Sequence, residues 1–169
     1  MVDVSFGGDG VTAPLPLLEG HVNRNIGIQE LRLVYSTIDE QVDKSRKLWI
    51  YQYRNHPSNE WNSYYCFPEL EFTMVDFEVM NHFASTSPAS FQTTTVVVVK
   101  FLRRREDTYG KLMLVNGELK RNTGEKTELV KKCETEGERV EAMREYIGIE
   151  LPEEEREGIR GIVTGLGRS

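Results

Sequence analysis

The chain has 169 residues, of which 38% are hydrophobic and 28% charged, with 27 acidic against 21 basic side chains and a formal charge of -6. That size and mix suit a globular domain or two small, closely packed lobes. The acidic balance argues against a nucleic-acid partner, which needs a net basic face, and the longest apolar run, residues 96–99, falls far short of the roughly 20 residues that span a bilayer.

Residues 1–6 alternate small and apolar side chains and break at Gly7-Gly8-Asp9-Gly10, a strand running into a turn-rich loop. Beyond Pro14 and Pro16, residues 28–35 set Ile28, Glu30 and Arg32 against Gln29, Leu31 and Leu33, and residues 48–53 (LWIYQY) are dense in aromatic and β-branched side chains. Both read as strands, with the polar stretch 39–46 as a surface loop between them. Residues 61–67 read as another strand, ended by Pro68. The pattern then turns helical. Thr73 followed by Asp76 resembles a capping box, and Phe77, Met80 and Phe83/Ala84 form one stripe before Ser85-Thr86-Ser87-Pro88 stops the helix. Residues 93–101 read as a strand, and residues 111–115 and 118–121 flank Asn116-Gly117, the strongest short hairpin signal. Residues 128–132 add a further strand. A helix over 136–146 places Val140, Met143 and Ile147 on one face with Gly148 as its C-cap, and Pro152 with three following glutamates opens another. The sum is an α+β chain with an antiparallel β-barrel or curved sheet at its centre.

Candidates for chemistry are few. His21, His56 and His82 are the only histidines, none in a metal pair, and Glu78 with His82 is an ordinary i,i+4 spacing. The GGDG loop has no Lys-Ser/Thr after it, so it is a tight turn and not a phosphate-binding P-loop. The basic run 100–105 (KFLRRR) meets Glu106 and Asp107 at once and reads as a solvated strand end. Cys66 and Cys133 lack metal spacing, and no secretory pattern opens the chain, so free thiols in the cytoplasm are expected.

Two segments carry the reading further. Val2-Asp3-Val4-Ser5-Phe6-Gly7-Gly8-Asp9-Gly10 is followed by Pro14-Leu15-Pro16-Leu17, and Asp76-Phe77-Glu78 leads through Asn81 to Ser85-Thr86-Ser87-Pro88 and Ser90-Phe91. In this order they resemble the arylamine N-acetyltransferase family. The blocks 50–55 (IYQYRN) and 65–69 (YCFPE) are most similar to its fungal branch.

That resemblance implies acetyl transfer from acetyl-CoA, a co-substrate and not a bound cofactor, to arylamines by a Cys-His-Asp triad with ping-pong kinetics. By position, Asp3 corresponds to the triad Asp, and Phe6, Gly7 and Gly8 to the acceptor-pocket wall. Thr86, Ser87, Ser90 and Phe91 correspond to CoA contacts. Ser5 and Ala89 depart from the residues common at their positions. The implied organisation is a remainder of a β-barrel domain over 1–72, a connecting helix and CoA-contact loop over 73–92, and an α/β lid over 93–169. The family's N-terminal helical domain, with the nucleophilic Cys and the His, is expected to be absent, leaving the chain inactive alone and its apolar surface exposed. Neither Cys66 nor Cys133 stands in the family's nucleophile setting. Two other readings stay open: a non-catalytic protein that binds CoA or a partner, and an unrelated small-ligand-binding barrel.

Overall fold

The computed structural model describes Met1 and residues 10–167, so the strand expected over residues 1–6 lies, except for Met1, outside the described residues. By its contacts the chain divides into two compact units. The first takes in Met1–Glu71, Arg103–Gly110 and Thr123–Lys126, and the second Phe72–Leu102, Lys111–Asn122 and Thr127–Ser169.

The first unit is built on an antiparallel meander of β1 (Asn23–Arg24), β2 (Glu30–Ser36), β3 (Leu48–Arg54) and β4 (Asn62–Phe67). Its register explains the alternation in the sequence. Leu31 faces Tyr53, Leu33 faces Tyr51 and Tyr35 faces Trp49, while Tyr51 and Trp49 face Tyr65 and Phe67 on the other side. Side chains two apart share a face, so this set makes one apolar surface, on which Leu31, Leu33, Trp49 and Tyr51 are buried together with Leu15. Tyr51 and Tyr65 stack with centroids 5.1 Å apart. The buried Trp49 indole gives its N–H to Glu69 Oε1 at 2.8 Å, which satisfies the one polar atom it carries. The alternate residues make a polar face, where Arg54 pairs with Glu30 at 2.6 Å and the guanidinium groups of Arg32 and Arg54 lie 4.2 and 4.5 Å from the Trp61 ring centre.

The second sheet runs β5 (Val97–Arg104), β6 (Asp107–Val115), β7 (Glu118–Asn122) and β8 (Thr127–Lys132) in sequence order. Its core joins Leu112, Leu114 and Leu119 to Met143 and Ile147. The Asn116-Gly117 hairpin forms with Val115 paired to Glu118, and Asn116 takes a φ of 51°. Gly117 serves a different purpose from the usual one. It does not adopt the left-handed conformation; a Cβ there would sit 2.5 Å from the Cys133 carbonyl oxygen.

Among the described residues each sheet is an open run of four strands. The expected barrel is therefore corrected to two open sheets in an α+β fold. Four strands, one of them only two residues long, are too few to close around a filled interior. Helix α1 (Met74–Thr86) runs two residues past the expected end at about Ala84, and α2 (Phe91–Thr94) replaces the start of the strand expected at 93. Helix α3 (Glu136–Ala142) continues into a π-helical turn, Met143–Ile147, that ends on Gly148 at φ 84°, the C-cap expected there. A short α4 (Glu153–Glu157) follows Pro152.

Candidate functional site

Of the residues singled out in the sequence, Asp3, Phe6, Gly7 and Gly8 lie outside the described residues. The other group, Thr86, Ser87, Ser90 and Phe91, falls on the short connection between α1 and α2, and its shape follows from its hydroxyls. Asp76 anchors the far end of α1 by accepting from both the N–H and the Oγ1 of Thr73, each at 2.8 Å. These bonds favour the charged carboxylate and hold Asp76 below the usual range, the backbone bond contributing most. At the near end Thr86 Oγ1 donates back to the His82 carbonyl at 2.6 Å, and the Ser87 N–H closes the last turn on the Phe83 carbonyl at 3.0 Å.

Past Pro88 the chain is pinned by Ser90. This residue is buried, donates its hydroxyl to the Ala84 carbonyl at 2.7 Å and accepts from the Gln92 N–H at 3.2 Å. Thr93 Oγ1 reaches the Ser87 and Ser90 carbonyls at 2.6 and 3.0 Å. Side-chain caps of this kind favour a helical turn over the extended conformation that threonine prefers elsewhere, which is why residues 91–94 are helical. The Ser90 hydroxyl is thus used twice within the loop. Ser87 Oγ accepts only from the Ala89 N–H, at 3.3 Å, so its proton has no acceptor among the described residues. Phe91 is 63% exposed. The connection therefore presents Thr86, a spare Ser87 donor and an unburied ring on a framework stiffened from inside.

Neither cysteine is equipped as a nucleophile. Cys133 is buried, and its thiol lies 3.5 Å from the Glu138 carbonyl oxygen, to which it donates. Burial pushes its pKa up, so the thiolate is disfavoured. Cys66 is half-buried on β4, and among the described residues no histidine bonds to either sulfur. His56 Nδ1 is engaged with Ser58 Oγ at 2.6 Å in an exposed turn. Among the described residues no group of three acidic, cysteine or histidine side chains converges as a metal site, and no helix is long and apolar enough to cross a membrane.

Two cavities accompany these features. One of about 390 Å³ in the first unit is lined by Thr12, Arg24, Asn25, Arg103, Asp107 and Tyr109 among others. The other, about 940 Å³ in the second unit, is lined by Val140, Arg144, Leu151, Arg156, Ile162 and Leu166 among others. Both arginines are paired, to Glu141 at 2.7 Å and Glu153 at 3.7 Å.

A family profile described as N-acetyltransferase matches residues 1–156. An N-malonyltransferase of Fusarium pseudograminearum is 32% identical over 169 residues, covering 94% of this chain and 49% of that protein. The chain thus spans about half the length of the curated relatives it matches. The arylamine N-acetyltransferase of Salmonella typhimurium shares the fold, with a TM-score of 0.70 at 24% identity over 93% of this chain and 54% of that one. The Mycobacterium marinum arylamine N-acetyltransferase in complex with CoA gives a TM-score of 0.61 at 25% identity, over 81% of this chain and 44% of the other.

Proposed function

The chain belongs to the arylamine N-acetyltransferase family, and on that premise we propose that it supplies the acid member and the CoA-contact segment of an acyl-CoA-dependent N-acyltransferase. Asp3 is assigned as the triad acid that orients a histidine and stabilises its cationic form. Phe6, Gly7 and Gly8 are assigned to the acceptor side. Thr86, Ser87, Ser90 and Phe91 are assigned to CoA, with Ser90 holding the loop in shape. The acceptor is an arylamine. In this reading residues 93–169 act as the lid and 73–92 as the connection to it.

The observation that carries the proposal is the α1–α2 connection. A loop whose backbone and buried serine are satisfied internally, yet which offers a spare hydroxyl donor and an exposed aromatic ring, suits a ligand with amide and phosphate acceptors. The buried, poorly ionised Cys133 and the unpaired Cys66 support a further part of the reading. The thiol and imidazole of the reaction are supplied by the N-terminal half of a longer protein, and this chain alone does not turn over.

For the donor, the malonyl group is a second reading beside acetyl. It is favoured by the N-malonyltransferase names of the relatives at 32% and 33% identity. The test is CoA release by the protein at its native length, with acetyl-CoA or malonyl-CoA as donor and an arylamine as acceptor. Asp3→Asn should lower turnover by about three to four orders of magnitude, the scale seen when a triad acid can no longer fix the imidazole tautomer. Turnover with one donor only identifies it. Turnover that survives Asp3→Asn overturns the assignment of the acid, and CoA binding without turnover by either donor favours a non-catalytic binder.

A further inference from the structure

The cavity of about 940 Å³ in the second unit takes no part in the acyltransferase reading. Met143 and Ile147 turn one stripe of α3 and its π-helical extension into the core. The neighbouring stripe, with Gly137, Val140, Glu141 and Arg144 about a turn apart, lines the cavity. The far wall is an arch over residues 152–167, built from short turns. In it the Arg160 N–H bonds the Glu157 carbonyl at 3.0 Å, the Ile162 N–H the Ile159 carbonyl at 3.1 Å and the Gly165 N–H the Ile162 carbonyl at 3.0 Å. Both ends of the arch are tied down. Arg156 Nε donates to the Leu151 carbonyl at 2.8 Å. At the return, the Leu166 N–H donates to Glu136 Oε1 at 2.8 Å, and Arg139 Nη1 donates to the Thr164 carbonyl at 3.1 Å. The family profile matches residues 1–156, so the arch from 157 onward lies beyond that match.

Three features of the walls bear on what fits there. Apolar surface is left open, with Ile149 37% and Ile162 48% exposed and Val140 and Leu151 half-buried. Gly137 stands in α3 although glycine weakens a helix relative to alanine. Its φ is not positive, and a Cβ there would meet only Thr135 Oγ1, at 4.0 Å. Nothing local calls for glycine, and what its missing side chain leaves free is the cavity. The third feature is charge. Each arginine on the walls is matched by a glutamate: Arg144 by Glu141 at 2.7 Å, Arg156 by Glu153 at 3.7 Å and Arg160 by Glu157 at 2.6 Å. Glu136 is matched by Arg139. Glu150, which also lines the cavity, has no hydrogen bond or ion pair among the described residues. The walls are thus neutral but for one carboxylate.

We propose that the space between α3 and the arch binds a hydrophobic amine, its apolar body among Val140, Ile149, Leu151 and Ile162 and its ammonium group at the Glu150 carboxylate. Its volume falls within the range of roughly 300–1,000 Å³ found for small-molecule sites. Burial of the body against open aliphatic side chains supplies the affinity, and the uncompensated carboxylate selects the sign of the charge. An anionic ligand meets no spare cation here, because every arginine on the walls is already paired. The same reasoning disfavours a polyanion such as CoA, which separates this site from the contacts assigned to residues 86–91. Binding here does not depend on acyl transfer.

The probe is phenylbutylamine, with phenylbutanol and phenylbutyrate as neutral and anionic ligands of the same body. Each is titrated into the full chain at neutral pH and low salt, and backbone amide shifts are followed by heteronuclear NMR. The amine should saturate, with its largest shifts at Gly137, Ile149, Gly161 and Gly165. The alcohol should bind about three- to fivefold more weakly, the scale of one exposed charge pair, and the butyrate more weakly again. Glu150→Gln should bring the amine to within about twofold of the alcohol. Gly137→Leu places a side chain in the cavity and improves helix propensity. It should weaken amine and alcohol alike by about tenfold or more, with Tm unchanged or raised. The proposal is overturned if millimolar amine gives no saturable shifts, if the shifts centre on the exposed helix α1, or if butyrate binds as tightly as the amine. A folded Gly137→Leu protein that binds the amine as before also overturns it. Should Gly137→Leu fail to fold, Glu150→Gln decides: equal amine affinity with and without the carboxylate sinks the assignment.

Discussion

Helices α1 and α3 are both capped by threonine and both in the second unit, yet they meet opposite fates. In α3 and its π-helical extension, Arg139, Ala142, Met143 and Ile147 are buried, and the last two join Leu112, Leu114 and Leu119 in the core. In α1 no residue is buried, with Phe83 62% and Val79 68% exposed. Helix-forming signal and burial are thus separate matters. The α3 stripe at 140, 143 and 147 is narrow and meets a sheet face, whereas α1 spreads Met74, Val75, Phe77, Val79, Met80 and Phe83 more widely around its axis. A large apolar patch left in water marks an interaction surface or an aggregation hazard.

The sharpest way to break this contrast is at Arg139, the polar centre of the buried helix. Its guanidinium group bonds Glu136 through Nε at 3.1 Å and also through Nη2, and it donates to the Thr164 carbonyl at 3.1 Å. Glu136 in turn accepts from the Leu166 N–H at 2.8 Å, so the pair clamps the chain's last described turns onto α3. Arg139→Ala leaves the Glu136 carboxylate without its cation and the Thr164 carbonyl without this donor, and should cost about 3–5 kcal/mol, measured by urea unfolding. Replacing Arg139 and Glu136 together by methionine should cost much less, because no orphaned charge remains. Equal losses in the two proteins would show that the clamp contributes packing alone.

On the exposed helix the expected signs differ. Phe83→Ser and Met80→Ser should change unfolding free energy by no more than about 0.5 kcal/mol, the usual range for surface positions. They should reduce binding of a hydrophobic dye and self-association of the isolated chain, followed by fluorescence and light scattering. A destabilisation of 2 kcal/mol or more, roughly the cost of removing a large core side chain, would show that the α1 face is covered in solution.

The same contrast separates what was legible in the sequence from what was not. Period-two alternation at Leu31 and Leu33, the aromatic run 48–53 and the Asn116-Gly117 pair all specify local geometry, and each strand or turn forms where expected. Sheet closure depends on partners far apart in the chain, so the barrel reading went beyond what alternation can support. The threonines at 93 and 94 favour strand by propensity, but the Ser90 cap and the Thr93 back-bonds outweigh it. Arg105 takes a φ of 55° between β5 and β6, a turn that no Gly or Asn advertises. In the candidate site, the motifs single out the α1–α2 connection by its hydroxyl residues but give no hint that the Ser90 hydroxyl is consumed internally.

The smallest expected effect concerns the one polar device that α1 does possess. Asp76 accepts two bonds from Thr73, and these hold its folded pKa below the ordinary aspartate value of about 3.9. Because the unfolded chain takes up this proton first, the contribution of the cap is complete above that value and is lost as pH falls through the lower folded pKa. The group is fully exposed, so the consequence is local fraying of the first turn and not global unfolding. Amide exchange at Asp76 and Phe77, relative to residues of α3, should therefore speed up beyond the intrinsic pH trend as the pH falls below about 4. Asp76→Asn should show that faster exchange at every pH, with no added transition. If Asp76→Asn and the unsubstituted protein respond to pH alike, the carboxylate does not cap α1. The difference between the helices would then lie entirely in what the α3 stripe packs against.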